Sequence, residues 1–207
     1  MNDKHHSELL GWIVADQEDE VAVRGLLIDL KFRGLRYPKL FISDESKGII
    51  SALNLEFPNI ERQLCSFHKL KNIDLHLEDR KNRKGIMREA GDIYKLSKNR
   101  TEAVCRLKTL RKNWKKKEPE AVRLFCANFE YTVRYFDYPK HMWKSIRTSN
   151  PIEQFIGKMR GWTSKFNYFH GRANLDLAMF TYLCHKKQEL VPDENLTQNK
   201  KYTLFVA

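Results

Sequence analysis

The first third of the chain alternates short apolar runs with segments whose apolar residues recur at helical spacing. The runs Glu8–Asp16, Lys39–Ser43 and Glu61–Phe67 predict buried strands. Between the first two runs, apolar side chains from Ala22 to Leu30 share one helical face, and Gly34 supplies a C-terminal stop. This alternation of strand and helix predicts an α/β core with neighbouring, largely parallel strands.

Helical spacing dominates the remainder of the chain. After His68 no strand is predicted until the tail, which begins at Val191 and is polar before its last apolar run. The predicted segments are a helix at about Glu45–Phe57, a helical region at Lys69–Phe136, a loop at Tyr138–Ser149, helices at Asn150–Gly161 and Asn174–Leu190, and a candidate edge strand at Tyr202–Val206.

Positive charge is concentrated in one part of the chain. The formal net charge is +12, and between Lys69 and Lys117 there are 17 Lys and Arg against 6 Asp and Glu. This excess favours an anionic partner, most simply nucleic acid, and leaves a membrane surface or plain solubility as alternatives. No apolar run reaches membrane-spanning length, and the four cysteines form no disulfide framework. We therefore expect a cytoplasmic protein that does not enter a membrane.

Two acidic residues stand where a metal could bind, and each also has an ordinary structural explanation. Asp44 directly follows the second predicted strand, and ligands collect at the carboxyl ends of strands in α/β sheets. It can equally cap the helix that begins at Glu45. With Asn150 as N-cap and Pro151 as first helical residue, Glu153 fits the reach-back position of a capping box. Taken singly, each acid is better explained as a cap.

Considered together, Asp44 and Glu153 suit metal-dependent chemistry on a phosphodiester backbone. Mg²⁺ prefers carboxylate oxygens and keeps several of its waters, so a few protein ligands suffice. Two such ions can activate an attacking oxygen and stabilise a leaving one. The basic segment between the two acids would hold the polyanion.

Two stretches of the sequence carry a resemblance to a known family. Phe41–Asn72, "FISDESKGIISALNLEFPNIERQLCSFHKLKN", followed by Ile146–Gly161, "IRTSNPIEQFIGKMRG", resembles the Mutator-type transposases of bacterial insertion sequences. The resemblance extends from about Leu9 to about His185. It implies an RNase H-like fold with a DDE triad, in which a helical insertion separates the second acid from the third.

The resemblance assigns roles to individual residues. Asp44 matches the second acid and Glu153 the third, which implies that both are catalytic and bind Mg²⁺ or Mn²⁺. Cys65 and His68 match the family's Cys-x-x-His motif, which follows the strand after the second acid, and we expect them to support the active site or local packing. The implied activity is DNA cleavage and strand transfer. The implied partners are transposon ends and target DNA, bound by a homo-oligomer in a synaptic complex, and the implied location is the nucleoid.

The same resemblance predicts a domain organisation. Residues 1–68 would form a partial RNase H-like α/β core, 69–140 a basic helical insertion, 141–190 the C-terminal helices that complete the core, and 191–207 a tail. The family's first acid lies on an earlier strand, so we expect a truncated or split transposase that is inactive alone. That strand pairs with the one before Asp44, whose edge would then be exposed. Asp16 also follows a predicted strand, but its strand matches one at the sheet edge, too remote to share a metal with Asp44.

Other residues offer further candidates. Lys115, Lys116 and Lys117 lie beside Trp114, which can stack on an unpaired base or pack inward. After the third acid the family often has a run of arginines, and here Lys158 and Arg160 keep some positive charge for DNA phosphates. Cys65 and His68 could suggest zinc, but no second ligand pair follows at the spacing of a zinc finger.

Two functions are therefore carried forward. The first is a DDE-type transposase of an insertion sequence. The second is a non-catalytic transposase remnant that still binds DNA or a full-length partner.

Overall fold

The computed structural model describes residues 9–15, 19–166, 168–185 and 203–205. Over these residues the protein is mixed α/β, mostly helical, with one small sheet. Among them, no helix has both the length and the apolar character needed to span a bilayer. The helices are α1 (Glu20–Phe32), α2 (Lys47–Glu56), α3 (Ser66–Leu75), α4 (Arg83–Leu96), α5 (Arg100–Trp114), α6 (Pro119–Cys126), α7 (Phe129–Thr132), α8 (Trp143–Ile146), α9 (Asn150–Thr163) and α10 (Arg172–His185). The strands are β1 (Leu40–Ser43), β2 (Glu61–Leu64) and β3 (Thr203–Phe205).

The sheet has the strand order β2-β1-β3. Strands β1 and β2 are parallel and are joined by α2, as a crossover connection requires. All four residues of β1 are buried, which explains its continuous apolar sequence. We expected this strand to have an open edge. That expectation is wrong, because β1 is the central strand of the three and has a neighbour on each side.

The chain divides into two compact units. The first comprises Met1–Phe41, Ser46–Glu61 and Asn150–Ala207, and the second comprises Ile42–Glu45 and Arg62–Ser149. Asp44 therefore belongs to the same unit as the basic helices, and Glu153 belongs to the other.

In the first unit, α1 packs against α2 through an apolar core that includes Leu27, Ile49 and Leu53. Asp19 begins α1, since its carboxylate accepts a hydrogen bond from the Ala22 N–H at 2.8 Å. The two helices begin close together, and a Cβ at Gly48 would lie 2.9 Å from the Asp19 backbone. A second pair, α9 and α10, packs through aromatic side chains.

In the second unit the core combines apolar side chains with buried polar ones. Its largest fully buried side chains include Ile86, Ile93, Phe125 and Tyr135. Gln63 is also fully buried. Its amide group donates to the Thr132 carbonyl at 2.9 Å and accepts from the Tyr135 N–H at 2.8 Å, so β2 is tied to the segment after α7.

Several predicted elements differ from the structure. The run Glu8–Asp16 is not a strand over its described residues, 9–15. Leu10 is instead buried in the apolar core of the first unit. Its carbonyl accepts a hydrogen bond from the Arg33 guanidinium, not from the backbone of another strand. An apolar run alone does not distinguish a strand from another buried segment. Asp16, the alternative first acid, lies outside the described residues, as does the tail apart from β3.

The helical region ends differently from the expected pattern. The helical spacing that begins near Pro119 is interrupted at Asn128, which has a left-handed backbone with φ 52°. The predicted loop at Tyr138–Ser149 contains the short helix α8 and a preceding 3₁₀ turn at Lys140–Met142. Short helical turns of this kind carry too little periodicity to be predicted.

Candidate functional site

Asp44 leaves the carboxyl end of β1 as a half-buried side chain. The helix that follows begins at Lys47, and Ser46 occupies its N-cap position. Asp44 therefore lies two residues before the N-cap position, and the expectation that the helix begins at Glu45 is wrong. Its position at the end of a buried strand is the one at which α/β proteins place ligand-binding groups.

The backbone around Asp44 is held by hydrogen bonds on both sides. The Ser43 carbonyl accepts from the Cys65 N–H at 2.7 Å, and the Ser43 hydroxyl donates to the Asp44 carbonyl at 2.8 Å. The carboxylate of Glu45 accepts from the Lys69 ammonium at 2.6 Å and from the Asn128 amide at 2.7 Å. Segments far apart in the sequence thus converge on the loop that carries Asp44.

Lys69 has the most unusual environment of the charged residues here. Its side chain is 2% exposed, and besides the ion pair with Glu45 it donates to the Ala127 carbonyl at 2.6 Å. Burying an ammonium group is costly unless it is paired and hydrogen-bonded, and here two of its three N–H donors have partners. By sequence alone, Lys69 is one of the 17 cations between Lys69 and Lys117. Lys69 is four residues from the N-cap Cys65 and four from Ile73 on α3, both apolar in character and buried, and this spacing indicates the buried side of the helix.

Cys65 and His68 lie at the start of α3. Cys65 is buried at the N-cap position, and its Sγ accepts from the Ser149 N–H at 3.3 Å. A ring nitrogen of His68 lies within 4.8 Å of that sulfur. The thiol therefore ties the last residue of the second unit to the loop after β2, and the role of this pair in supporting an active site stays a prediction.

Glu153 lies in the first turn of α9 as a half-buried side chain. Carboxylates are favourable in a first helical turn, so a capping contribution remains compatible with this position. No residue of α9 is fully buried. Lys158 and Arg160 are both exposed on this helix, as contact with a polyanion requires.

The basic region presents one exposed face on α5. Four exposed cations share this face at the spacing i, i+3, i+4 and i+7, the last of them at the C-cap: Lys108, Arg111, Lys112 and Lys115. Lys116 and Lys117 follow at the helix end and are exposed as well. Among the described residues, none of these six makes an ion pair, whereas Arg83 and Arg106 are paired with Asp74 and Glu102. The face on α5 therefore holds positive charge that is available to a ligand.

Trp114 packs inward. A Cβ added at Gly85 on α4 would lie 2.7 Å from the indole ring, so the ring fills the space that this glycine leaves. The Lys117 ammonium lies over the same ring, 5.5 Å from its centroid. The indole is thus committed to packing α4 against α5 and does not form a platform for a base.

The basic run ends at a fully buried carboxylate, Glu118. It accepts hydrogen bonds from the Glu78 and Asp79 N–H groups at 2.7 and 3.1 Å and from the Asn82 amide at 2.8 Å. Burial by itself raises the pKa of Glu118, but these three donors together outweigh it, and the pKa lies below its ordinary value. Glu118 thus fixes the end of α5 and its lysines to the segment before α4.

Comparison with known proteins assigns the chain to a family. Residues 2–189 match the family described as "Transposase, Mutator family". The transposase for insertion sequence element IS1201 of Lactobacillus helveticus is 30% identical over 152 residues, covering 72% of this chain and 40% of that protein. The transposase for insertion sequence element IS905 of Lactococcus lactis subsp. lactis is 24% identical over 193 residues, covering 93% of this chain and 46% of that protein. The chain spans about half or less of the length of these relatives. The match over nearly its whole length shows that the chain belongs to the Mutator family of transposases.

Proposed function

We propose that this chain supplies two metal-binding acids, Asp44 and Glu153, and a DNA-binding face to an insertion-sequence transposase of the DDE type. The position of Asp44 carries the proposal: it directly follows a buried strand, is half-buried, and lies two residues before the N-cap position of α2. An RNase H-like fold, with 69–140 as an insertion, is part of the same proposal. The family to which the chain belongs and the order of its motifs support it.

The donor chemistry of the two acids fits Mg²⁺ or Mn²⁺. Asp44 and Glu153 offer carboxylate oxygens and are half-buried, so water and a hard cation can reach them. Cys65 and His68 offer sulfur and nitrogen, which these cations bind less readily. When bound, the ion would polarise the scissile phosphate and lower the pKa of an attacking water or hydroxyl.

The side chains of this protein would divide the remaining work. Asp44 and Glu153 would each offer a carboxylate to a metal ion, and the buried Cys65 would keep the loop after β2 beside Ser43. Lys115, Lys116 and Lys117, with the rest of the α5 face, would bind DNA phosphates without reading sequence. Lys158 and Arg160 would make further phosphate contacts. Binding two transposon ends and a target would require a homo-oligomer in a synaptic complex.

The proposal is tested by DNA cleavage and strand transfer in Mg²⁺ or Mn²⁺. The chain is assayed alone and joined to an upstream segment that bears the family's first acid. We expect activity only in the joined protein. Asp44→Asn and Glu153→Gln should each reduce it by more than roughly 100-fold, since even groups that only support metal ligands cost 10- to 100-fold, while DNA binding persists. Near-normal cleavage by either variant would remove that acid from the proposal.

The α5 face also favours a second candidate function. Its exposed cations need no metal to bind a polyanion, so the chain could act as a non-catalytic DNA-binding remnant. This function predicts DNA binding by the chain alone and no cleavage even after the upstream segment is joined. Cleavage by the chain alone that Asp16→Asn abolishes would contradict both functions and make Asp16 the first acid.

A further inference from the structure

We infer that Lys69 and Asn128 are positioning residues for Asp44 and that they act through the carboxylate of Glu45. The inference rests on the proposed function, because an ordered loop around Asp44 matters only if Asp44 binds a metal ion. Lys69 lies in the stretch Phe41–Asn72 but has no role assigned by the resemblance, and Asn128 lies outside both stretches that carry it.

Glu45 is joined to Asp44 by a single peptide bond, and both of its carboxylate oxygens are engaged. Lys69 donates to one oxygen at 2.6 Å and Asn128 donates to the other at 2.7 Å. On the preceding side, the Ser43 carbonyl is held by the Cys65 N–H. Because anchors lie on both sides of Asp44, its φ and ψ angles have little freedom, and its side chain leaves β1 in one direction.

The two partners of Glu45 form one assembly. The Lys69 ammonium also donates to the carbonyl of Ala127, the residue that precedes Asn128 in the turn between α6 and α7. Lys69 and the turn at Ala127–Asn128 therefore contact each other as well as the Glu45 carboxylate. All of these contacts lie within the second compact unit.

The fold keeps this assembly although each partner is unfavourable by itself. Lys69 lies on the buried side of α3 between Cys65 and Ile73, where an apolar side chain would pack without a desolvation cost. Asn128 adopts the left-handed region at φ 52°, which residues with a Cβ adopt rarely, although asparagine does so more readily than most. Strain and buried charge of this kind persist where the arrangement that they impose is needed.

The test compares Lys69→Met and Asn128→Gly with the unchanged 207-residue chain. Lys71→Met, an exposed lysine on the same helix, is the matched control. Glycine adopts the left-handed backbone without strain, so Asn128→Gly removes the side-chain bond and keeps the turn. If Lys69→Met alone fails to fold, Lys69→Met with Glu45→Gln removes both charges and avoids an unpaired buried one.

Two measurements are made on each variant. Amide hydrogen exchange at Asp44 and Glu45 reports order in the loop. Paramagnetic broadening of the same amides during Mn²⁺ titration reports metal affinity at Asp44. We expect Lys69→Met to speed this exchange and to lower Mn²⁺ affinity by roughly tenfold, as for other groups that orient a metal ligand. Asn128→Gly should lower Mn²⁺ affinity by roughly fivefold, which corresponds to the contribution of one hydrogen bond. Lys71→Met should change neither the exchange rate nor the Mn²⁺ affinity.

The outcomes separate this inference from the proposed function. If exchange or Mn²⁺ affinity at Asp44 is the same in Lys69→Met and Asn128→Gly as in the unchanged chain, the positioning inference is overturned. Asp44→Asn is titrated in parallel. If it keeps the full Mn²⁺ broadening while the Lys69 variant still loosens the loop, the proposed metal role of Asp44 fails and only the ordering of the loop stands.

Discussion

The two compact units hold their candidate acids in different ways. In the second unit, Asp44 lies in a loop that is held by two distant segments: the buried Cys65 and Lys69 at the start of α3, and the exposed Asn128 between α6 and α7. In the first unit, Glu153 lies on α9, a helix with no fully buried residue. Both acids had the same support from sequence, namely a helix start and a family motif.

The difference shows what a motif leaves unspecified. A motif identifies which residue type the chemistry requires, whereas the surrounding packing decides how firmly that residue is held. In the second unit, buried polar groups hydrogen-bond distant segments to one another; they include Gln63, Lys69 and Glu118. It also carries nearly all of the excess positive charge. We therefore expect substitutions in the second unit to affect three properties: DNA binding through its positive charge, stability through its buried polar groups, and the loss of stability at low pH.

The largest expected effect concerns charge. Replacing Lys115, Lys116 and Lys117 by Gln should weaken DNA binding and flatten the slope of log K against log salt by about 0.9 for each phosphate contact that is lost. The measurement is fluorescence anisotropy with a DNA duplex at several salt concentrations. The matched control is a second variant that removes three exposed charges from α4, namely Lys84, Arg88 and Lys95. Equal losses in both variants would show that net charge matters and that the α5 face does not.

The next effect concerns polar burial in the second unit. Gln63→Leu adds apolar surface but leaves the Thr132 carbonyl and the Tyr135 N–H buried without their partner. Each such group costs about 1–3 kcal/mol, so the free energy of unfolding should fall by roughly 2–4 kcal/mol. Urea denaturation followed by fluorescence measures this change. A variant as stable as the unchanged protein would show that this core does not depend on its polar bonds.

The smallest effect concerns acid sensitivity. The pKa of Glu118 is lower in the folded protein than its ordinary value, so the unfolded chain binds its proton first as the pH falls. The stability from Glu118 is therefore present above the ordinary carboxyl pKa and is lost as the pH falls through the lower folded value. Glu118→Gln should cost about 1–2 kcal/mol at neutral pH and reduce this acid loss. Thermal unfolding from pH 7 to pH 3 checks both statements, and an unchanged pH profile would contradict them.

Much of the fold could be predicted from the sequence because it depends on local signals. The first helix, its stop at Gly34, the strand before Asp44 and the helix around Glu153 all follow from periodicity and capping residues. The structure has α1, β1 and α9 in these places, with Gly34 at φ 102°. The strand at Glu8–Asp16 was wrong because burial of Leu10 against helices and burial within a sheet leave the same apolar pattern.

The support around Asp44 could not be predicted, because it joins residues that are far apart in the chain. Glu45 is 24 residues from Lys69 and 83 residues from Asn128. No local pattern encodes such a pairing. Lys69 was counted as one more cation of a basic region, and Asn128 was placed inside a continuous helix. Only the tertiary structure shows that both residues face the carboxylate next to Asp44.

The central claim, that Asp44 binds metal and does not cap α2, is tested most directly by metal-dependent stability. Thermal unfolding of the 207-residue chain is measured with and without Mn²⁺, for the unchanged protein, Asp44→Ala and Ser46→Ala. A ligand that binds only the folded state raises its stability. We predict that Mn²⁺ raises the Tm of the unchanged protein and of Ser46→Ala but not that of Asp44→Ala. An Mn²⁺ shift that survives in Asp44→Ala, together with a loss of stability of about 1 kcal/mol in the absence of metal, would show that Asp44 is a cap after all.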